Sequence, residues 1–127
     1  MKNITNEWVV KAEGDFVTAR REMQAEPPNY DAVVFHAQQC VEKYLKARLV
    51  EEGIDFPKTH DLTAILNMLL AKEPAWDHLQ PALDALTSIG VEVRYPGTFA
   101  DADDSREALQ TAQSVRDLVR PSLGLSL

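Results

Sequence analysis

Between Pro27-Pro28 and Gly53 the chain runs from Asn29 to Glu52 without a proline or a glycine. A stretch of that length has few options. Advancing each residue by about 100° places Tyr30, Val33, Val34, Ala37, Val41, Tyr44, Leu45 and Arg48 on one broad face, which predicts a long helix. Asn29 stands where a cap accepts the first free N–H groups, and Gly53 where a helix turns left-handed and ends. His36, Gln39, Lys43 and Lys46 fall on the opposite side.

The same punctuation divides the rest of the chain. A first helix is expected from Thr5 or Asn6, with Trp8, Ala12, Phe16 and Ala19 at helical spacing and Pro27 as its stop. A third is expected from Asp61 to about Lys72 on the stripe Leu62, Ile65, Leu66 and Leu69. Asp77 and Gln80 have capping-box spacing for a fourth carrying Leu79, Leu83, Leu86 and Ile89. The break Val93-Arg94-Tyr95-Pro96-Gly97 follows. Asp104 and Glu107 are then expected to open a fifth helix with Ala108, Ala112, Val115 and Val119 inside. Arg116 and Arg120 suit its negative end and Pro121 its close, leaving residues 121–127 as a loose tail. No strand alternation competes with this pattern. The expected fold is all-α, an up-down bundle of four to five antiparallel helices in one domain over residues 1–127, with Trp8 and Trp76 at the bundle ends.

Charge narrows the function. Lys and Arg number 13 against 20 Asp and Glu, a formal net charge of −7. Binding nucleic acid through diffuse electrostatics needs clustered cations, so any site for a phosphate must be a local pocket in a repelling surface. The one cysteine, Cys40, lies in an apolar helical pattern and reads as packing. The first residues lack a signal-peptide run and no stretch is long enough to cross a membrane, so the expected compartment is the cytoplasm. His36, His60 and His78 have no close ligand spacing, so neither a metal nor another cofactor is expected.

Three stretches, in order, carry a family resemblance. Phe35-His36-Ala37-Gln38-Gln39-Cys40-Val41-Glu42-Lys43-Tyr44-Leu45-Lys46-Ala47, then Pro57-Lys58-Thr59-His60-Asp61-Leu62, then Arg94-Tyr95-Pro96, resemble the signature elements of the HEPN domain, the nucleotide-binding domain of higher eukaryotes and prokaryotes, across about residues 5 to 120. The resemblance implies a helical bundle that is often a homodimer. It also implies a minimal nucleotidyltransferase as partner protein, either as antitoxin to a toxin or as catalytic to substrate-binding subunit. Many members are metal-independent ribonucleases in which an Arg and a His shortly downstream meet their counterparts across a dimer cleft. Arg94 matches that Arg, but Thr98, Phe99, Ala100 and Asp101 occupy the place of the His.

The candidates follow from chemistry and resemblance together. His36, Gln39, Lys43 and Lys46 are expected to bind nucleotide or RNA phosphate, the alternative being a solvated helix face. Tyr95 beside Arg94 is expected to stack on a base, the alternative being Arg94 in an ion pair and Tyr95 in the core. Catalysis, if present, falls to Arg94 with a relocated His, His60 or His36. His60-Asp61 has the form of a carboxylate-oriented imidazole, though such an Asp commonly serves its helix dipole instead. Three functional readings result: a nucleotide- or RNA-binding module with a nucleotidyltransferase partner, a toxin-like endoribonuclease, and a purely structural assembly partner.

Overall fold

The computed structural model describes residues 1–127 and contains helices and turns but no strand. In chain order, α1 spans Asn3–Gln24, α2 Tyr30–Glu51, α3 Leu62–Asn67, α4 Gln80–Glu92 and α5 Ala102–Ser122, with a 3-10 turn over Pro74–Leu79 before α4. α2 lies at the centre, with α1, α5, α4 and α3 all packed on it. This explains why two-sided periodicity misreads it. Its buried residues include Val33, Val34, Ala37, Cys40, Val41, Tyr44, Leu45 and Leu49, but also Gln38, Glu42, Lys46 and Arg48. One contiguous apolar core links α2 to every other helix through Val9, Phe16, Leu62, Leu66, Leu83, Leu86, Ala112 and Val119.

The ends of the helices follow the sequence where the cap is local and depart from it where a distant group intervenes. Asn29 caps α2 by accepting from the Ala32 N–H, and Gly53 leaves the helix at φ 70°. α1 starts at Asn3, ahead of the expected Thr5 or Asn6, because its first turn is fastened to the end of α2. There Glu51 accepts from the Lys2 N–H and the Thr5 hydroxyl, both at 2.9 Å. Those two donors hold the Glu51 carboxyl below the usual carboxylate range. α3 stops at Asn67, five residues short of the expected end, and continues as tight turns such as Leu69 N–H to Leu66 C=O. The expected cap at Asp77 is absent, since that residue belongs to the 3-10 turn that leads directly into α4.

α5 opens one turn earlier than expected. Asp101 and Asp104 form a reciprocal capping box, each side chain accepting the other's backbone N–H. The Asp104–Glu107 pair has the same spacing, but the Ala100 N–H donates to Asp31 at 2.7 Å and fixes the chain's entry at the earlier position. At the other end α5 carries Pro121 within its last turn and closes at Ser122. Arg116 and Arg120 donate to the Leu127 and Ser126 carbonyls, while Leu123 and Leu125 lie against the core. The tail therefore folds back on α5 and is not loose.

Gly90 on α4 packs directly against the Gln38 side chain of α2. A Cβ there would lie 2.8 Å from Gln38 Cδ, and Gln38 is only 1% exposed. Gly90→Ala should therefore cost about 1–3 kcal/mol by overpacking. Gly14→Ala, in exposed mid-α1 with nothing within 4 Å, should gain about 0.5–1 kcal/mol. Urea denaturation of the two variants checks both signs.

Candidate functional site

The sequence candidates separate into three places. The first is between α1 and α2, where Asp15 receives His36 Nδ1 at 2.8 Å and Lys43 Nζ at 2.6 Å. Asp15 is 11% exposed, so Lys43 is neutralised in a partly buried pair and is not free to meet a phosphate. Gln39 lies half-buried between them in sequence. Cys40 beneath is fully buried, and burial, with the Glu13 and Asp15 charges, pushes its thiol well above the ordinary range. That thiol packs and does not react.

The second place is between α2 and α3. Glu42, 4% exposed, receives Lys46 Nζ at 3.1 Å and His60 Nδ1 at 2.8 Å. Lys46, expected on an open phosphate-binding face, is instead 7% exposed, with its ammonium 5.8 Å from the Trp8 ring and 5.5 Å from the Phe56 ring. The sequence suggested Asp61 as the carboxylate that orients His60. Asp61 instead caps α3, accepting from Thr63 and Ala64, and Glu42 takes the imidazole. Glu42 holds the ring through Nδ1 on a side chain that is 67% exposed.

A parallel cluster ties α1 to α5. Glu13 accepts from Arg116 Nε at 2.9 Å, from Arg120 Nη1 at 3.3 Å and from the Tyr44 hydroxyl. Burial and then the Glu13 hydrogen bond push the Tyr44 phenol upward. With Arg48 on Glu73 and Glu52, most cations near α2 are compensated.

Arg94 is different. It is exposed just past the end of α4 and forms no ion pair, and Tyr95 after it is 65% exposed, so neither takes the structural role that sequence left open. Two ties bring this segment over the start of α2. Gly90 sits on Gln38, and the Ala100 N–H reaches Asp31. Phe35 lies between Asp31 and Gln38 on the same helix face. The exposed apolar side chains there are Phe35 (43%), Val91 (47%), Tyr95 and Phe99 (79%). An unpaired guanidinium next in sequence to an exposed Tyr suits a phosphate with an adjoining base.

No hydrogen bond or ion pair joins Arg94 to His60; the tie between their segments is the Leu62 N–H, which donates to Thr87 on α4, seven residues before Arg94. His36 is held by Asp15, with its ring edge-to-face against Phe35 at 5.1 Å. Glu42, Asp15, Phe35 and Phe99 were not singled out from sequence. The Glu42–Lys46 spacing was a visible signal, while the pairings to His60 and Asp15 cross long stretches of chain. No three His, Cys, Asp or Glu side chains gather as metal ligands, and no helix is long and apolar enough to cross a membrane.

A model of the HEPN domain matches residues 5–122. The chain belongs to the HEPN family. A relative from Methanocaldococcus jannaschii, named as a “putative toxin”, is 26% identical, with 91% of this chain and 86% of the relative aligned. The crystal structure of an archaeal HEPN homologue superposes with a TM-score of 0.73 at 25% identity, covering 96% of this chain and 98% of that one. The helical order described above is thus that of a HEPN bundle. Within it, α2 carries the first motif, the approach to α3 the second and the end of α4 the third.

Proposed function

We propose that this HEPN protein is a toxin-class, RNA-binding module of the cytoplasm that holds a single-stranded RNA phosphate at Arg94, works as a homodimer, and has a minimal nucleotidyltransferase as its partner. The observation that carries the reading is Arg94 itself, an exposed cation without a carboxylate partner, beside Tyr95 and Phe99. The toxin name of the M. jannaschii relative supports the class. A guanidinium clamps phosphate in bidentate fashion, and each stacked base adds about 1–3 kcal/mol without needing a basic surface. That combination suits a chain of net charge −7. The exposed patch of Phe35 and Val91 suits a two-fold contact that would bring two Arg94 side chains together.

Because few phosphates are neutralised, binding of a labelled single-stranded RNA should depend weakly on salt, with a slope of about −0.7 per phosphate contacted. Anisotropy titration across salt concentrations tests this. No saturable binding at low salt removes the reading.

A second reading rests on His60, whose Nδ1 is held by the buried Glu42 and whose side chain is largely exposed. Such an imidazole is suited to take a proton from a ribose hydroxyl, as a metal-independent endoribonuclease requires. Purified protein would then cleave single-stranded RNA in chelator, with His60→Ala lowering the rate about 100-fold or more. Cleavage unchanged by that substitution removes His60 from the chemistry.

A further inference from the structure

Between α4 and α5 runs a groove of about 630 Å3, bounded by His78 and Ser114 at one end and Glu92 and Asp104 at the other. Its floor is apolar and shallow, with Leu79, Leu86, Ile89 and Ala108 flanked by the small side chains Ala82, Ala85 and Ser88. From His78 in the 3-10 turn to Glu92 at the end of α4 it is roughly 20 Å long at helical rise. Small residues along a groove of this length let another helix approach closely.

Its charge specifies the visitor. No Lys or Arg lines the groove, whereas Glu92, Asp104 and Glu107 do, and none of the three takes part in an ion pair. By contrast, Glu13, Asp15, Glu42, Glu52 and Glu73 each have a cationic partner. Asp104 is already engaged in the capping box of α5, and the charge that Glu92 and Glu107 leave on this face repels a nucleic acid and an acidic peptide alike. We infer that the α4–α5 groove is a docking site for a Lys- or Arg-bearing amphipathic helix of a partner protein, its small apolar face on Leu86 and Ile89 and its cations on Glu92 and Glu107. The inference does not depend on the RNA reading, since the groove and Arg94 share no residue.

The probe is a labelled synthetic peptide of roughly 14 residues, matched to the groove at 1.5 Å per residue, with Ala and Leu on one face and Lys on the other. Its Glu-for-Lys isomer serves as the control. The full-length protein should bind the Lys peptide and not the Glu peptide. Ala85→Trp, an exposed substitution that fills the groove without changing charge, should weaken binding about tenfold or more. Glu92→Lys with Glu107→Lys should do the same, while Glu7→Lys with Asp55→Lys, an equal change in net charge at exposed positions elsewhere, should change it less than about twofold. Thermal melts confirm that each variant is folded. Absence of Lys-peptide binding, an unchanged affinity in Ala85→Trp, or equal loss in the two charge pairs would overturn the proposal. Self-association abolished by Ala85→Trp would overturn it too, by giving the groove to a second copy.

Discussion

Glu42→Ala is expected to destabilise the protein by about 3–5 kcal/mol, the cost of leaving one partner of a buried ion pair uncompensated. Glu42 and Lys46 have side chains 6% and 9% exposed, so neither is well screened by water. With the carboxylate gone, the Lys46 ammonium keeps only the faces of Trp8 and Phe56, and these replace a fraction of the lost interaction. The midpoint of thermal unfolding should fall by roughly 10–20 °C for a domain of this size. Glu42→Leu with Lys46→Met, which removes both charges and keeps the volume, should recover most of the loss. By contrast, Asp103→Ala, which breaks an ion pair whose members are 85% and 60% exposed, should change stability by less than about 1 kcal/mol. If Glu42→Ala unfolds at the wild-type midpoint, the buried pair is not what holds α3 and the approach to it against α2.

Arg94→Ala is the second large effect, and its sign pattern is the reverse: binding lost, fold kept. The side chain is exposed and unpaired, so its removal should alter stability by no more than about 0.5 kcal/mol. Charge-assisted hydrogen bonds to phosphate are worth about 1.5–3 kcal/mol, so single-stranded RNA affinity should fall roughly 10- to 150-fold. Arg94→Lys should recover part of it, since a point charge replaces a planar fork. Lys43→Ala should do the opposite, destabilising the α1–α2 contact at Asp15 and leaving RNA affinity near wild type. RNA affinity that depends on Lys43 and not on Arg94 would return the site to the helix-two stripe.

What the sequence disclosed depended on how far each interaction reaches along the chain. Asn29 and Gly53 act on groups within a few residues, so both ends of α2 were legible. The three motif stretches carried the family, which the family match over residues 5–122 bears out. The start of α5 was misread because two acidic pairs had the same spacing, and the choice between them rests on Ala100 bonding to Asp31, 69 positions away. α3 was overextended because its leucine spacing fits tight turns as well as an α-helix. The lysines of α2 were misplaced for a different reason. With four other helices packed on α2, the face that periodicity assigned to water became the seat of one partly buried and one buried carboxylate cluster. Arg94 and Tyr95 could be named from sequence, but their freedom from partners appears only once every neighbouring carboxylate has been placed.

The central claim is that phosphate meets this protein past the end of α4 and not along α2. Backbone amide spectra of the isotopically labelled full-length protein, recorded during titration with a short single-stranded RNA, test it most directly. Shifts concentrated from Val91 to Phe99, and absent in Arg94→Ala, are the predicted result; shifts centred on Lys43 and Lys46 that survive that substitution would contradict it.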